Sequence, residues 1–310
     1  PLSCKAFPAF GICISKDDMD ISLMCDYADL AMQRIKGKVF TYYAFYDDKL
    51  RDQLMYERRI QNEIEDALEN ENIKVYVQPK VNMKSGKIVG GEALVRWVHP
   101  SNGFIGPDKF IPVLEKSGHI VDVDTFVWRK VIENIGKRIK QEKRVVPISL
   151  NVSRVHVYNS KFVETLEEYI TKYNISPEYV PLEVTESMFI NNEMNFYDKV
   201  AKLQNRGFKF VMDDFGAGYS SLNMLKAEPV DEVKIDREFL SDIENKKSQI
   251  VIRNIINMIN ELELDIIAEG VETEKQAKLL QSYGCDKAQG FLYYKPIPIK
   301  DFDKLLDSEY

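Results

Sequence analysis

Ile73-Lys74-Val75-Tyr76-Val77-Gln78-Pro79-Lys80-Val81 and Ile88-Val89-Gly90-Gly91-Glu92-Ala93-Leu94-Val95-Arg96-Trp97 are joined by only six residues, Asn82-Met83-Lys84-Ser85-Gly86-Lys87. Both runs are apolar and rich in β-branched residues, so both read as strands. A parallel crossover needs about a dozen residues or more, so this pair must form an antiparallel hairpin. Further apolar runs follow at 146–152, 180–185, 208–213, 232–235, 265–268 and 287–291. Helical stretches separate them, over 107–117 with 122–141, 160–173, 193–206, 237–262 and 272–283. Eight strands with intervening helices is the count of an α/β, TIM-like (β/α)8 barrel. Here its first strand is antiparallel. In such a barrel the interior is expected to be apolar packing, and polar residues at the strand ends form the active site.

Ahead of the barrel, 10–14 reads as a strand, 20–35 as an amphipathic helix and 39–46 as a second strand. A β-α-β piece of this size, residues 1–46, cannot bury enough surface to stand alone. Residues 47–70 form one long helix, apolar on one side. Its first turns, 47–58, are expected to be a linker, and 59–310 the main domain.

The chain of 310 residues carries 42 basic and 49 acidic side chains, a net charge of −7. That balance argues against a nucleic-acid polymer or an anionic membrane as partner. A protein of this charge that handles phosphates must supply positive charge locally, through metals, single Arg or Lys residues or helix N-termini. No membrane-spanning run and no signal-peptide pattern occur, and Cys4, Cys13, Cys25 and Cys285 lack metal-ligand spacing. Free, largely buried cysteines in the cytoplasm are expected. Because the sequence starts at Pro1, a longer protein is expected, with upstream domains that could carry a membrane anchor.

The strand ends carry the chemistry. Glu92, Leu94 and Arg96 alternate and share one face. Asn151, Glu183 with Glu186, Asp213-Asp214, Lys234 with Asp236, Glu269 with Glu272, and Gln289 sit at the ends of later strands. Gln78 interrupts the first. Any one of these acids is most simply a solvated group or a structural ion pair; their recurrence at successive strand ends is not. The oxygen donors Glu92, Asn151, Glu183, Asp213, Asp214 and Glu269 make about two metals' worth of ligands, with no His or Cys among them. Such a set suits Mg²⁺ or Mn²⁺, not zinc. Two such cations suit phosphoryl chemistry. Arg96 suits a phosphate oxygen, and the amides of Gln78 and Gln289 suit base edges or phosphates. Lys234 beside two dications would have a lowered pKa, and is left as either a base or a donor orienting water.

Glu92-Ala93-Leu94-Val95-Arg96-Trp97 resembles the signature of the EAL domain, the bacterial phosphodiesterases of cyclic di-GMP. The resemblance covers about residues 56–306 and extends through Tyr76-Val77-Gln78-Pro79, Ser149-Leu150-Asn151-Val152-Ser153 and Leu182-Glu183-Val184-Thr185-Glu186. It continues in Asp213–Leu222, Val233-Lys234-Ile235-Asp236, Ala268-Glu269-Gly270-Val271-Glu272, Gln289-Gly290-Phe291 and Pro296. It implies the barrel derived above, hydrolysis of cyclic di-GMP to linear pGpG, and two Mg²⁺ or Mn²⁺ ions per site. By the same resemblance Glu92, Asn151, Glu183, Asp213, Asp214 and Glu269 hold the metals, and Lys234 contacts the attacking water. Gln78, Leu94, Arg96, Asp236, Gln289 and Pro296 line the substrate. Glu186 and Glu272 support catalysis, Glu186 by holding the loop after Asp214, a loop linked to homodimer formation. Residues 1–46 resemble the C-terminal end of a GGDEF domain, through Asp26-Tyr27-Ala28-Asp29-Leu30-Ala31-Met32. A preceding GGDEF or sensor domain is therefore expected. A silent cyclic di-GMP receptor is the alternative, and would be expected to lack metal ligands.

Overall fold

The structure, a computed structural model, describes residues 8–15, 19–36, 41–190, 194–216 and 229–309. It divides into two compact units, with the boundary between Ile64 and Glu65.

The first unit pairs β1 (Phe10–Ile12) in parallel with β2 (Tyr43–Phe45) through α1 (Ile21–Gln33). The helix lies hard against Gly11, where a Cβ would come within 1.6 Å of the Ala28 carbonyl oxygen. Tyr27 and Tyr46 stack with ring centroids 3.9 Å apart. Phe10, Tyr43 and Phe45 are exposed. A single helix, α2 (Asp48–Glu69), crosses the boundary between the units.

The second unit opens with the hairpin, β3 (Ile73–Asn82) against β4 (Ile88–His99), antiparallel with Gln78 opposite Glu92. Asn82 closes its turn by accepting the Lys84 and Ser85 amides, and Gly86 takes a φ of +70° that L side chains disfavour. The remaining barrel strands are β6 (Ile148–Asn151), β7 (Leu182–Thr185), β8 (Phe210–Phe215), β9 (Glu232–Ile235), β10 (Asp265–Ala268) and β11 (Lys287–Ala288). They pair in parallel in that order, and β11 closes the barrel by pairing antiparallel with β3. The reversed first strand is therefore present. Around the barrel run α3 (Pro107–Ser117), α4 (Ile120–Lys140), α5 (Phe162–Tyr173), α6 (Ser187–Ile190), α7 (Met194–Asn205), α8 (Lys246–Glu261) and α9 (Glu274–Ser282). Their apolar faces and the outer faces of the strands make the core, as where Trp97 of β4 meets Phe110 of α3 edge-on at 5.5 Å.

Four features depart from the sequence reading. The last barrel strand ends at Ala288, not Phe291, because Tyr293 and Tyr294 donate back to the Gly290 carbonyl and turn the chain. Short strands β5 (Gly103–Ile105) and β12 (Ile297–Pro298) extend the sheet beyond the barrel. A further helix, α10 (Ile299–Ser308), follows. The lower part of the barrel interior is charged and not apolar. There Lys80 lies 3.8 Å from Glu232, and Lys287 lies 3.2 Å from Glu232 and 3.1 Å from Asp265.

Buried Arg138 of α4 holds α10 in place. Its guanidinium donates to the Arg144 carbonyl at 2.8 and 3.0 Å, to the Asp303 carbonyl at 3.3 Å and to Asp307 at 2.6 Å. Arg138→Met is expected to cost about 2–3 kcal/mol, below the usual cost of a broken buried pair because Asp307 is partly exposed. A denaturant melt checks this; an unchanged midpoint would show that α10 docks through its other contacts, buried Phe302 and Leu306 and the Asn134–Asp303 and Lys143–Asp307 bonds.

No helix among the described residues is long and apolar enough to cross a membrane. The described cysteines are free; Cys285 is buried but Cys25 is exposed, against the expectation of burial.

Candidate active site

The strand pairing puts the polar residues at one level of one mouth. Gln78 faces Glu92 across β3–β4, Glu92 neighbours Ser149, Asn151 neighbours Glu183, and Thr185 neighbours Asp213. Glu269 and Gln289 follow β10 and β11, their amides donating to the Ile235 and Ala268 carbonyls. Adjacent residues on a flat strand would point to opposite faces. The irregular register of β8 on β9 between Met212 and Phe215, with Asp214 at φ +53°, breaks that alternation. Oxygens of Asp213, Asp214 and Glu269 then lie within 4.8 Å of one another.

Lys234 stands at the centre, 1% exposed. Its Nζ lies 2.6 Å from Glu269, 2.7 Å from Glu183, 2.8 Å from Asp213 and 3.3 Å from Glu92. An amide chain continues the cluster. Gln289 donates to Glu92 at 2.6 Å and to Gln78 at 3.0 Å, while Asn151 donates to Glu92 at 3.1 Å. Trp128 fixes the Asn151 backbone by donating to its carbonyl at 3.0 Å. Gln78, Glu92, Asp213, Lys234, Glu269 and Gln289 line a cleft of about 440 Å³ shared with Leu94, Asp214, Asp236, Arg237, Glu272 and Phe291.

Burial is the first cause that raises the carboxyl pKa values of Glu92, Asp213 and Asp214, and it pushes Glu269 up to about 8. Glu183 is the exception: burial opposes ionisation, but Lys234 and Lys80 together hold it down at about 2. For Lys234 a lowered pKa was expected of a site holding two dications; in the metal-free site the carboxylates decide. Burial does lower its pKa, but Glu183, Glu92, Asp213 and Glu269 outweigh that and hold it well above 10.5.

Some sequence candidates stand apart from the cleft. Arg96 lines a neighbouring hollow of about 490 Å³, which shares Glu92 and Leu94 with the cleft and adds Glu115, Asp124 and Arg154. Its guanidinium lies 5.8 Å from the Tyr76 ring centroid. Pro296 is partly exposed and lines neither space. Asp236 caps the turn 237–240 by accepting the Glu238 amide at 2.7 Å. Glu272 is exposed at the rim and Glu186 is buried. The loop that Glu186 was expected to hold, Ala217–Leu222, lies outside the described residues. The histidines take structural places, His99 accepting the Ser101 and Asn102 amides and His156 pairing with Asp124.

Three contributors were not read from the sequence. Lys80 reaches Glu183 at 2.9 Å and Ser149 at 3.0 Å, and Ser149 also bonds Glu183 closely. Arg237 lines the cleft because Gly270, at φ +62°, leaves room for it; a Cβ there would lie 2.5 Å from the Arg237 Cβ.

The donor set fits hard divalent cations. Five carboxylates (Glu92, Glu183, Asp213, Asp214, Glu269) face two ammonium groups (Lys80, Lys234), an excess of negative charge in which Glu92 and Glu183 are buried, Asp213 and Glu269 half-buried and Asp214 exposed. Such an excess is stable only when cations or protons neutralise it. Gln289 Oε1, buried and without a partner among the described residues, is a further oxygen donor beside it.

A family model described as the EAL domain matches residues 61–296. The chain belongs to the EAL domain family. Among proteins similar to this EAL domain, the signaling protein YkoW of Bacillus subtilis is 32% identical over 96% of this chain and 37% of its own length. The probable cyclic di-GMP phosphodiesterase PdeB of Escherichia coli is 36% identical over 79% of this chain and 47% of its own. This EAL domain therefore comes in a chain that spans about a third to a half of the curated relatives it matches. The solved PaMucR phosphodiesterase in complex with c-di-GMP superposes with a TM-score of 0.74 at 32% identity, covering 79% of this chain and 99% of that one. The EAL enzyme Bd1971, with cAMP and cyclic di-GMP bound, gives 0.78 at 28% identity over 92% and 74%.

Proposed function

We propose that this chain hydrolyses cyclic di-GMP to linear 5′-pGpG, with Mg²⁺ or Mn²⁺ held by Glu92, Asn151, Glu183, Asp213, Asp214 and Glu269. The observation that carries this reading is the surplus of carboxylate gathered around Lys234 at the base of an open cleft. The names of PdeB and of the PaMucR complex support the substrate. Two bound divalent cations supply Lewis acidity and a nucleophilic water of lowered pKa.

The chain's own residues do the rest. Lys234 donates to Asp213 at 2.8 Å and to Glu269 at 2.6 Å, and so is placed to orient a water beside them. Gln289 and Gln78 hold Glu92 in one orientation through their amide chain. Arg237 in the cleft and Arg96 in the neighbouring hollow offer forked donors to phosphate oxygens. Phe291, exposed at the cleft, offers a face on which a base can stack. Glu272 and Asp236 shape the rim, and Glu186 and Pro296 act from outside the cleft. The full protein is read as a cytoplasmic homodimer with a GGDEF or sensor domain ahead of this one, in line with the greater length of its relatives.

The test is conversion of cyclic di-GMP by the purified chain, followed by chromatography across a range of Mg²⁺ and Mn²⁺ concentrations. Production of pGpG that chelation abolishes is the expected result. Tight binding of the dinucleotide without turnover at any metal concentration would make the chain a receptor instead.

A further inference from the structure

Lys80 and Ser149 meet Glu183 from below and have no part in the roles assigned so far. Lys80 lies two residues after Gln78 on β3, on the same face, one level deeper in the barrel. It faces Gly90 across the hairpin, where a Cβ would make only ordinary contact with the Lys80 stem, 3.7 Å from its Cδ, but would lie 3.1 Å from the Pro147 carbonyl oxygen. Lys80 is 7% exposed, and its ammonium ends among buried oxygens, 2.9 Å from Glu183 Oε1 and 3.0 Å from Ser149 Oγ. Ser149 donates to the same Oε1. Glu183 Oε2 turns the other way, to Lys234 at 2.7 Å. The two oxygens of one carboxylate thus face two different environments, and the deeper one is fully engaged.

We propose that Lys80, with Ser149, is a positioning residue that ties up Glu183 Oε1 so that Glu183 offers a metal only its single oxygen Oε2. This rests on Glu183 being a metal ligand, as proposed above. A lysine behind a ligand acts opposite to the usual carboxylate partner. It withdraws negative charge from the ligand and repels the cation, so it trades affinity for geometry. Without it Glu183 can turn and chelate through both oxygens, as carboxylates around hard cations readily do.

The consequence separates positioning from a merely structural role. Lys80→Met keeps the stem and removes the charge. Mn²⁺ affinity, measured by calorimetry on the full chain, is expected to rise about tenfold, while kcat at saturating metal falls about tenfold or more and KM stays within about twofold. A structural defect would lower affinity and kcat together. Ser149→Ala, which leaves the charge in place, is expected to shift both readouts in the same directions by less, and supplies the answer if Lys80→Met fails to fold. Lys80→Arg restores the charge and is expected to bring Mn²⁺ affinity back to the original level. Unchanged or weakened Mn²⁺ binding in folded Lys80→Met, or an unchanged kcat, overturns the proposal while leaving the phosphodiesterase reading standing. An unsubstituted chain that binds no Mn²⁺ overturns both.

Discussion

Lys234→Met is expected to lower turnover of cyclic di-GMP about 100- to 10,000-fold, the range for losing a positioned proton donor or acceptor at a reacting centre. The size follows from its place. A single ammonium touches four carboxylates at 2.6 to 3.3 Å and is 1% exposed, so its removal breaks four close contacts at once. The same change leaves those carboxylates facing one another, and loss of one partner of a buried pair costs about 3–5 kcal/mol. The metal-free variant should therefore melt well below the unsubstituted protein. Divalent cations replace the missing charge, so in Mn²⁺ most of the melting difference should disappear while the loss of turnover persists. That contrast is the measurement: melting curves with chelator and with Mn²⁺, beside steady-state rates. Turnover within about threefold of the original would remove Lys234 from the reaction and leave it a structural cation.

The fold was legible because one short connection constrains it. Six residues between two strands cannot make a parallel crossover, and a reversed first strand follows from the counting of loops. The strand-end residues were legible for a similar reason, since a barrel gathers the ends of all its strands at one mouth, and the Glu92, Glu183, Asp213 and Glu269 carboxylates do meet there on Lys234. Lys80 was not legible. A lysine in a strand reads as an outward, snorkelling group; alternation sets this one on the face of Gln78, but the carboxylate it meets emerges only from the closed barrel. The ends of elements failed where tertiary contacts override local pattern. Gln289-Gly290-Phe291 is apolar enough for a strand, but Gly290 packs so tightly on Val271 that a Cβ would lie 2.1 Å from its carbonyl oxygen, and the chain turns there. That four carboxylates close on Lys234 could not be read from its neighbours in sequence, because those groups come from four other strands.

The second large effect is a reversal of pH dependence by metal. In metal-free protein the Glu269 carboxyl is raised from 4.5 to about 8, chiefly by burial. A raised acid binds its proton more tightly folded than unfolded, so stability falls as pH rises from about 4.5 through 8. A shift of that size corresponds to on the order of 3–5 kcal/mol, and Glu92, Asp213 and Asp214 move in the same direction. Glu183 works the other way: held down at about 2, it contributes stability that is complete above its unfolded value of 4.5 and is lost only as pH falls toward 2. Metal-free protein should therefore be most stable near pH 4–5 as far as this cluster decides, and its melting temperature should drop by roughly 5–10 °C between pH 5.5 and 8.5. Bound Mn²⁺ requires the carboxylates ionised, so cation binding strengthens over the same interval and the slope should change sign. Melting curves at the two pH values, in chelator and in saturating Mn²⁺, read this directly. Parallel trends in the two conditions would mean that the cluster's protons and its cations do not compete, and that the carboxylates meeting around Lys234 are a structural ion-pair network instead of a metal site.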